Sequence, residues 1–158
     1  MVGLLGLAGL VWAEETDLAW SGRVVRVVDG DTVWVERDGT GIRIRLEGID
    51  APERDQPWGE EATAFIRQQA LGGEVTVLGK EWDRYGRLVA RIVLPNGSHL
   101  NHQLVRQGLA WWYHAYSTDH ALQAAQALAR QEQLGLWSDA HPAPPWLWRR
   151  THLRPRAP

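Results

Sequence analysis

Between positions 42 and 47 the chain reads Ile-Arg-Ile-Arg-Leu-Glu, aliphatic and charged in strict alternation. Side chains of an extended strand point to opposite faces with a period of two. Ile42, Ile44 and Leu46 therefore share one face, and Arg43, Arg45 and Glu47 the other. A second strand-like run, Val33-Trp34-Val35, precedes this one, with the turn Asp38-Gly39-Thr40-Gly41 between them. A hairpin is predicted, and it folds the two outer ends back toward each other. Those ends are acidic: Asp29 and Asp31 before the first strand, Asp50 and Glu53 after the second, with Arg45 between. Carboxylates brought together repel unless protonated or bridged. A hard cation such as Ca²⁺ accepts them together with backbone carbonyls and water.

The rest of the chain extends the same architecture. Residues 20–28 are valine-rich and read as a strand, ended by a turn at Asp29-Gly30, where glycine accepts positive φ. Residues 74–82 and 88–94 read as two more strands, joined by Asp83-Arg84-Tyr85-Gly86-Arg87. Three helices are predicted. The first covers residues 60–71, with Ala64, Phe65, Ala70 and Leu71 at near-helical spacing and two glutamates in its first turn. The second covers residues 100–108, with Leu100, Leu104 and Val105 inward and Gly108 as its stop. The third runs from a cap at Ser117 or Thr118 to Gln133. This order predicts an α+β fold with a mainly β core: a five-stranded Greek-key barrel of the oligonucleotide/oligosaccharide-binding (OB) type with three flanking helices.

The boundaries follow from composition. Residues 1–13 read as a secretory signal, apolar from 2 to 12 and ending Val-Trp-Ala, although no Lys or Arg precedes the apolar run. Eleven apolar residues are too few to span a bilayer, which takes about twenty. Cleavage after Ala13 predicts a secreted or periplasmic protein with no stable membrane association. The domain itself is predicted over residues 18–138. Residues 139–158 hold five of the eight prolines and show no periodicity, so they read as a tail, ordered only where Trp146 and Trp148 pack. The arginines of that tail, Arg149 and Arg150 among them, read as solvated.

A net charge of −2 leaves no overall basic field, so contact with a polyanion must rest on local arginines and a metal. The absence of cysteine excludes disulfides, thiolate nucleophiles and thiolate-built zinc sites. Arg45 on a strand face and Arg87 at a turn offer two planar forks of donors, which suit a phosphate beside a cation. Glu53, held three residues beyond Asp50 by Ala51-Pro52, could bind a water or take its proton. Taken one at a time these motifs are bland. Asp-Gly-Asp-Thr alone is an ordinary hairpin turn.

Together they resemble the staphylococcal nuclease (thermonuclease) family. The resemblance rests on Asp29-Gly30-Asp31-Thr32, Arg45-Leu46 with Asp50-Ala51-Pro52-Glu53, and Asp83-Arg84-Tyr85-Gly86-Arg87. Two further segments, Leu104-Val105-Arg106-Gln107-Gly108-Leu109-Ala110 and Leu134-Gly135-Leu136-Trp137-Ser138, follow in the right order. The resemblance implies a Ca²⁺-dependent nuclease that hydrolyses phosphodiester bonds of single-stranded or denatured DNA and RNA. Low sequence specificity, 3′-phosphate ends and a monomeric state are implied with it. On that analogy Asp31, Asp50 and the backbone carbonyl of Ala51 hold the metal, and Asp29 stands one layer behind. Glu53 holds or deprotonates the attacking water, and Arg45 and Arg87 grip the phosphate. Arg84, Tyr85 and Tyr116 line the nucleotide site.

The chain departs from the family pattern in the loop at residues 54–59, which is short and nearly neutral where a longer lysine-rich loop is expected. Fewer phosphate contacts imply weaker binding and a flatter salt dependence. Trp58 in that loop reads as a cover for the first helix rather than a base-stacking platform. Trp111, Trp112 and Tyr113 read as core and groove wall, and His99 and His102 as surface residues. The alternative reading is a non-catalytic OB module that binds nucleic acid or protein. Such a module should lack one of Asp31, Arg45, Asp50, Glu53 and Arg87, and all five are present. An oligosaccharide-binding barrel would not need the arginine pair.

Overall fold

Strands β1 (Leu18–Asp29), β2 (Thr32–Arg37) and β3 (Thr40–Leu46) form an antiparallel meander, and the short β4 (Ile49–Asp50) follows at once. This is a computed structural model, and it describes residues 18–152. The expected signal at residues 1–13 lies outside the described residues. After helix α1 (Gly59–Ala70) come β5 (Glu74–Trp82) and β6 (Leu88–Val93), which pair antiparallel. β5 also pairs with β1, and β6 lies parallel to β3, which closes the barrel in the order β1-β2-β3-β6-β5. The five-stranded OB-type barrel expected from the sequence is the fold of this chain. Inside it Val24, Val33, Val35, Ile44, Leu46, Val77, Ala90 and Ile92 are fully buried, one residue in two along each strand. Burying this layer is the principal favourable term holding the barrel closed.

Helix α2 (Leu100–Arg106), the two-residue strand β7 (Trp111–Trp112), helix α3 (His120–Gln131) and a 3₁₀ turn at Gly135–Ser138 complete the expected domain. β7 pairs with β4, which pins Asp50 opposite Trp111. Leu100, Leu104 and Val105 of α2 are buried as expected.

Four local expectations are corrected. The β2–β3 turn is two residues, Asp38 and Gly39, both at positive φ, because Arg37 already pairs with Thr40. Helix α1 buries Ala62, Thr63, Ile66 and Ala70, whereas Ala64 and Leu71 are exposed. Helix α3 is capped by Asp119 rather than by Ser117 or Thr118: its carboxylate accepts from the N–H groups of Ala121 and Leu122 at 2.8 and 3.4 Å.

The fourth concerns the presumed tail, which carries a fourth helix, α4 (Pro145–His152). Proline is at home in the first helical position, where its missing N–H has no intrahelical partner to lose. Pro145 is buried, and Trp146 packs on the smaller of two hydrophobic clusters, with Trp111, Leu136 and Trp137.

Candidate active site

Gly30 decides how the two acidic ends meet. Its φ is not in the positive range, contrary to the reason the sequence suggested; what matters is space. A Cβ there would stand 2.7 Å from that of Ala51 and 2.8 Å from that of Ala62. The β1–β2 turn therefore seats directly on the exit of β4, and Asp31 reaches across to accept the Ala51 N–H at 3.0 Å. The Asp29 carboxylate accepts the Asp31 N–H at 3.1 Å, fixing the turn from behind.

Arg45 lies between the acids, as the alternation of β3 requires. Its Nη1 donates to the carbonyls of Leu46 and Ile49 at 2.7 and 2.9 Å, bracing the bend from β3 into β4. Its Nη2 stands 3.4 Å from Asp31 Oδ2 and 3.6 Å from Asp50 Oδ1. Parallel pairing of β3 with β6 sets Arg45 opposite Val89, two residues after Arg87. Arg87 is held by Asp83, whose Oδ2 accepts its Nε at 2.7 Å and whose Oδ1 accepts its N–H at 3.0 Å. Burial raises the Asp83 carboxyl, but the bonds from Arg87 and Tyr85 outweigh that and hold it below the usual carboxylate range. Arg84 donates to the Tyr85 hydroxyl at 2.7 Å and lies over its ring.

Glu53 is placed by its loop. Its carbonyl accepts the Gln56 N–H at 2.9 Å, and Gly59 passes so close that a Cβ would stand 1.9 Å from that oxygen. Trp58 precedes it at φ 73° and packs on both hydrophobic clusters, consistent with a covering role.

All these groups border one cavity of about 810 Å³: Asp29, Asp31, Arg45, Asp50, Ala51, Glu53, Arg84, Tyr85, Arg87 and Tyr116. Every site residue singled out from the sequence is thus brought to one place. Tyr85 and Tyr116 are 62% and 74% exposed, free to meet a planar ligand. His99 and His102 border a different cavity, with Leu122 and Asn101.

The structure adds residues that sequence reasoning missed. Arg149 of α4, expected to be solvated, instead donates from Nη1 and Nη2 to both oxygens of Asp50, at 3.1 and 2.8 Å, and from Nη1 to Glu53 Oε1 at 2.9 Å. Tyr113 is not among those missed: it borders the cavity as expected of the groove wall, and it stacks on Trp146 at 5.3 Å. Gln56 is buried and links the Glu53 N–H to the carbonyl of Ala143. The usable signal was Trp146 three residues before Arg149, neighbours on one helical face.

The electrostatics are those of buried negative charge. Asp50 is 1% exposed, and burial raises its carboxyl above the ordinary range, partly offset by the bond from Arg149. Burial, reinforced by Asp31, pushes Asp29 up to about 6. A carboxyl with a higher pKa in the folded than in the unfolded chain binds its proton more tightly when folded. Its contribution to stability falls as pH rises from the unfolded value to about 6 and is level above that. In cation-free protein the urea stability is therefore expected to drop between pH 5 and pH 7, with roughly 1 kcal/mol of the drop due to Asp29. The Asp29→Asn variant should show a correspondingly smaller drop, and an unchanged profile would contradict this assignment.

Comparison with known proteins agrees with this geometry. Residues 43–139 match the family described as staphylococcal nuclease homologue. An uncharacterized endonuclease of Escherichia coli is 48% identical over 128 residues, covering 81% of this chain and 84% of the relative. The micrococcal nuclease of Shigella flexneri is 40% identical over 145 residues, covering 84% and 83% of the two chains. The staphylococcal-like nuclease CAN1 of Arabidopsis thaliana is 41% identical over 109 residues, 69% of this chain but only 33% of that longer protein. With the barrel, the motifs and more than half the chain in agreement, this protein belongs to the staphylococcal nuclease homologue family.

Proposed function

We propose that this nuclease is a Ca²⁺-dependent phosphodiesterase that cuts DNA and RNA with low sequence specificity and leaves 3′-phosphate ends. The observation that carries the reading is the position of Arg45, 3.4 and 3.6 Å from Asp31 and Asp50, in a cavity shared with Glu53 and Arg87. Acids for a cation, arginines for an anion and one half-buried carboxylate for a proton form the division of labour such hydrolysis needs.

The residues fit a hard divalent ion. Asp31 and Asp50 are buried oxygen donors that border the same cavity, beside the Ala51 carbonyl. Among the described residues no three acidic or imidazole side chains form a cage, so the Ala51 carbonyl and water would supply the remaining ligands. Bound there, Ca²⁺ would polarise the phosphate and lower the pKa of an attached water.

The chain's own groups do the rest. Glu53 accepts a proton from the attacking water, whose oxygen bonds to phosphorus. Arg45 and Arg87 donate to the phosphate oxygens as their charge grows. The bond from phosphorus to the 5′ oxygen breaks, that oxygen takes a proton from solvent, and the phosphate stays on the 3′ oxygen. Arg84, Tyr85 and Tyr116 flank the cavity where unstacked bases of a single strand could lie. We place the protein outside the cytoplasm, acting as a monomer; export is supported by the apolar run at residues 2–12.

End-group analysis tests the chemistry. Fragments of denatured DNA should be refractory to polymerase extension until treated with phosphatase, and should accept a 5′ label from a kinase without it. Fragments with extendable 3′ hydroxyls and 5′ phosphates would refute the proposed direction of attack.

A further inference from the structure

Arg149 makes a bidentate pair with Asp50 and reaches Glu53 with the same guanidinium. These are the carboxylates assigned above to a cation and to a water's proton. With Arg45 also 3.6 Å from Asp50 Oδ1, both oxygens of a carboxylate that is 1% exposed already face positive charge. A divalent ion at bonding distance from Asp50 would stand beside the Arg149 guanidinium, and like charges that close in a partly desolvated cavity exclude each other.

The arm that delivers Arg149 is moored independently of the acids. Trp146 lies parallel to Tyr113, 5.3 Å away, and meets Trp111 at 5.5 Å and His114 at 5.6 Å in T-shaped contacts. The Gln56 amide donates to the Ala143 carbonyl at 2.6 Å, tying the arm to the loop that carries Glu53. Beyond this anchor the arginine side chain is long and one-third exposed, so a change of rotamer alone takes it out of the site without undocking the helix.

We propose that Arg149 and a divalent cation are alternative occupants of the Asp50–Glu53 carboxylates, so that α4 acts as a built-in competitor setting the cation concentration at which the site fills. The inference rests on Asp50 being a cation ligand. Where a competitor occupies the site nine-tenths of the time, the apparent dissociation constant of the cation is raised about tenfold.

The test is calorimetric titration of chelator-treated, full-length protein with Ca²⁺, comparing wild type with Arg149→Gln, Arg149→Lys and Asp50→Asn. Arg149→Gln is expected to bind Ca²⁺ about tenfold more tightly than wild type. Arg149→Lys, which keeps the charge but loses the fork, should fall between them. Asp50→Asn should lose the binding, which identifies the heat with this site. An Arg149→Gln constant equal to or weaker than wild type, with Asp50→Asn still defective, overturns the competition and leaves the cation reading standing. No Ca²⁺ binding by wild type and Arg149→Gln alike overturns both.

Discussion

Replacing Glu53 by glutamine is expected to lower kcat about 10²–10⁴-fold, the range lost with a positioned general base. Glutamine keeps the size and one acceptor oxygen of the side chain while basicity disappears. The loop should not move, because it is set by the main chain: Gln56 Oε1 accepts the Glu53 N–H, and Gly59 lies against the Glu53 carbonyl. KM should change little, since the phosphate is assigned to Arg45 and Arg87. Steady-state kinetics on denatured DNA at saturating Ca²⁺ measure both constants. A variant with near wild-type kcat would remove Glu53 from the chemistry.

Arg87→Gln is expected to cost about 10²–10³-fold in kcat and in kcat/KM alike, as for a donor whose bond strengthens in the transition state. Arg87 is the cleaner of the two arginines to test. Arg45 also satisfies the carbonyls of Leu46 and Ile49, so its loss would disturb the β3–β4 bend as well as the phosphate site. Arg87 is braced by Asp83 at the cavity edge, and its removal leaves an acid only 18% exposed but close to solvent. The variant should unfold at nearly the wild-type urea concentration. A rise in KM with unchanged kcat would mean that Arg87 binds the ground state only.

The barrel was legible because its signal is redundant. Alternation in β3 sets the faces, and the Asp38-Gly39 turn sets the register of the β2–β3 hairpin. The site was legible for the same reason: hairpin geometry forces Asp31 toward Asp50 whatever the side chains do. Errors arose where several residues could serve equally well. Ala62 and Ala64 are chemically identical, and it is Ala62, on the face with Thr63, Ile66 and Ala70, that is buried. Ser117, Thr118 and Asp119 are all good caps, and Asp119 is the one whose carboxylate meets the first-turn N–H groups. Gly30 looked like a turn residue and is a spacer. The C-terminal segment is legible only in part: order where Trp146 packs is expected from the sequence, and the helix is not. Its prolines hide an eight-residue helix whose order depends on a tryptophan finding Tyr113 and Trp111, partners more than thirty positions away. No local periodicity reports such a contact.

The buried carboxylates, the arginine pair and Glu53 are expected to act together only around a divalent cation. Cleavage of denatured DNA by the purified protein, followed in excess Ca²⁺ and again in excess chelator, tests it most directly. Rapid fragmentation with Ca²⁺ and none with chelator is the predicted result; equal cleavage in the two would contradict the account.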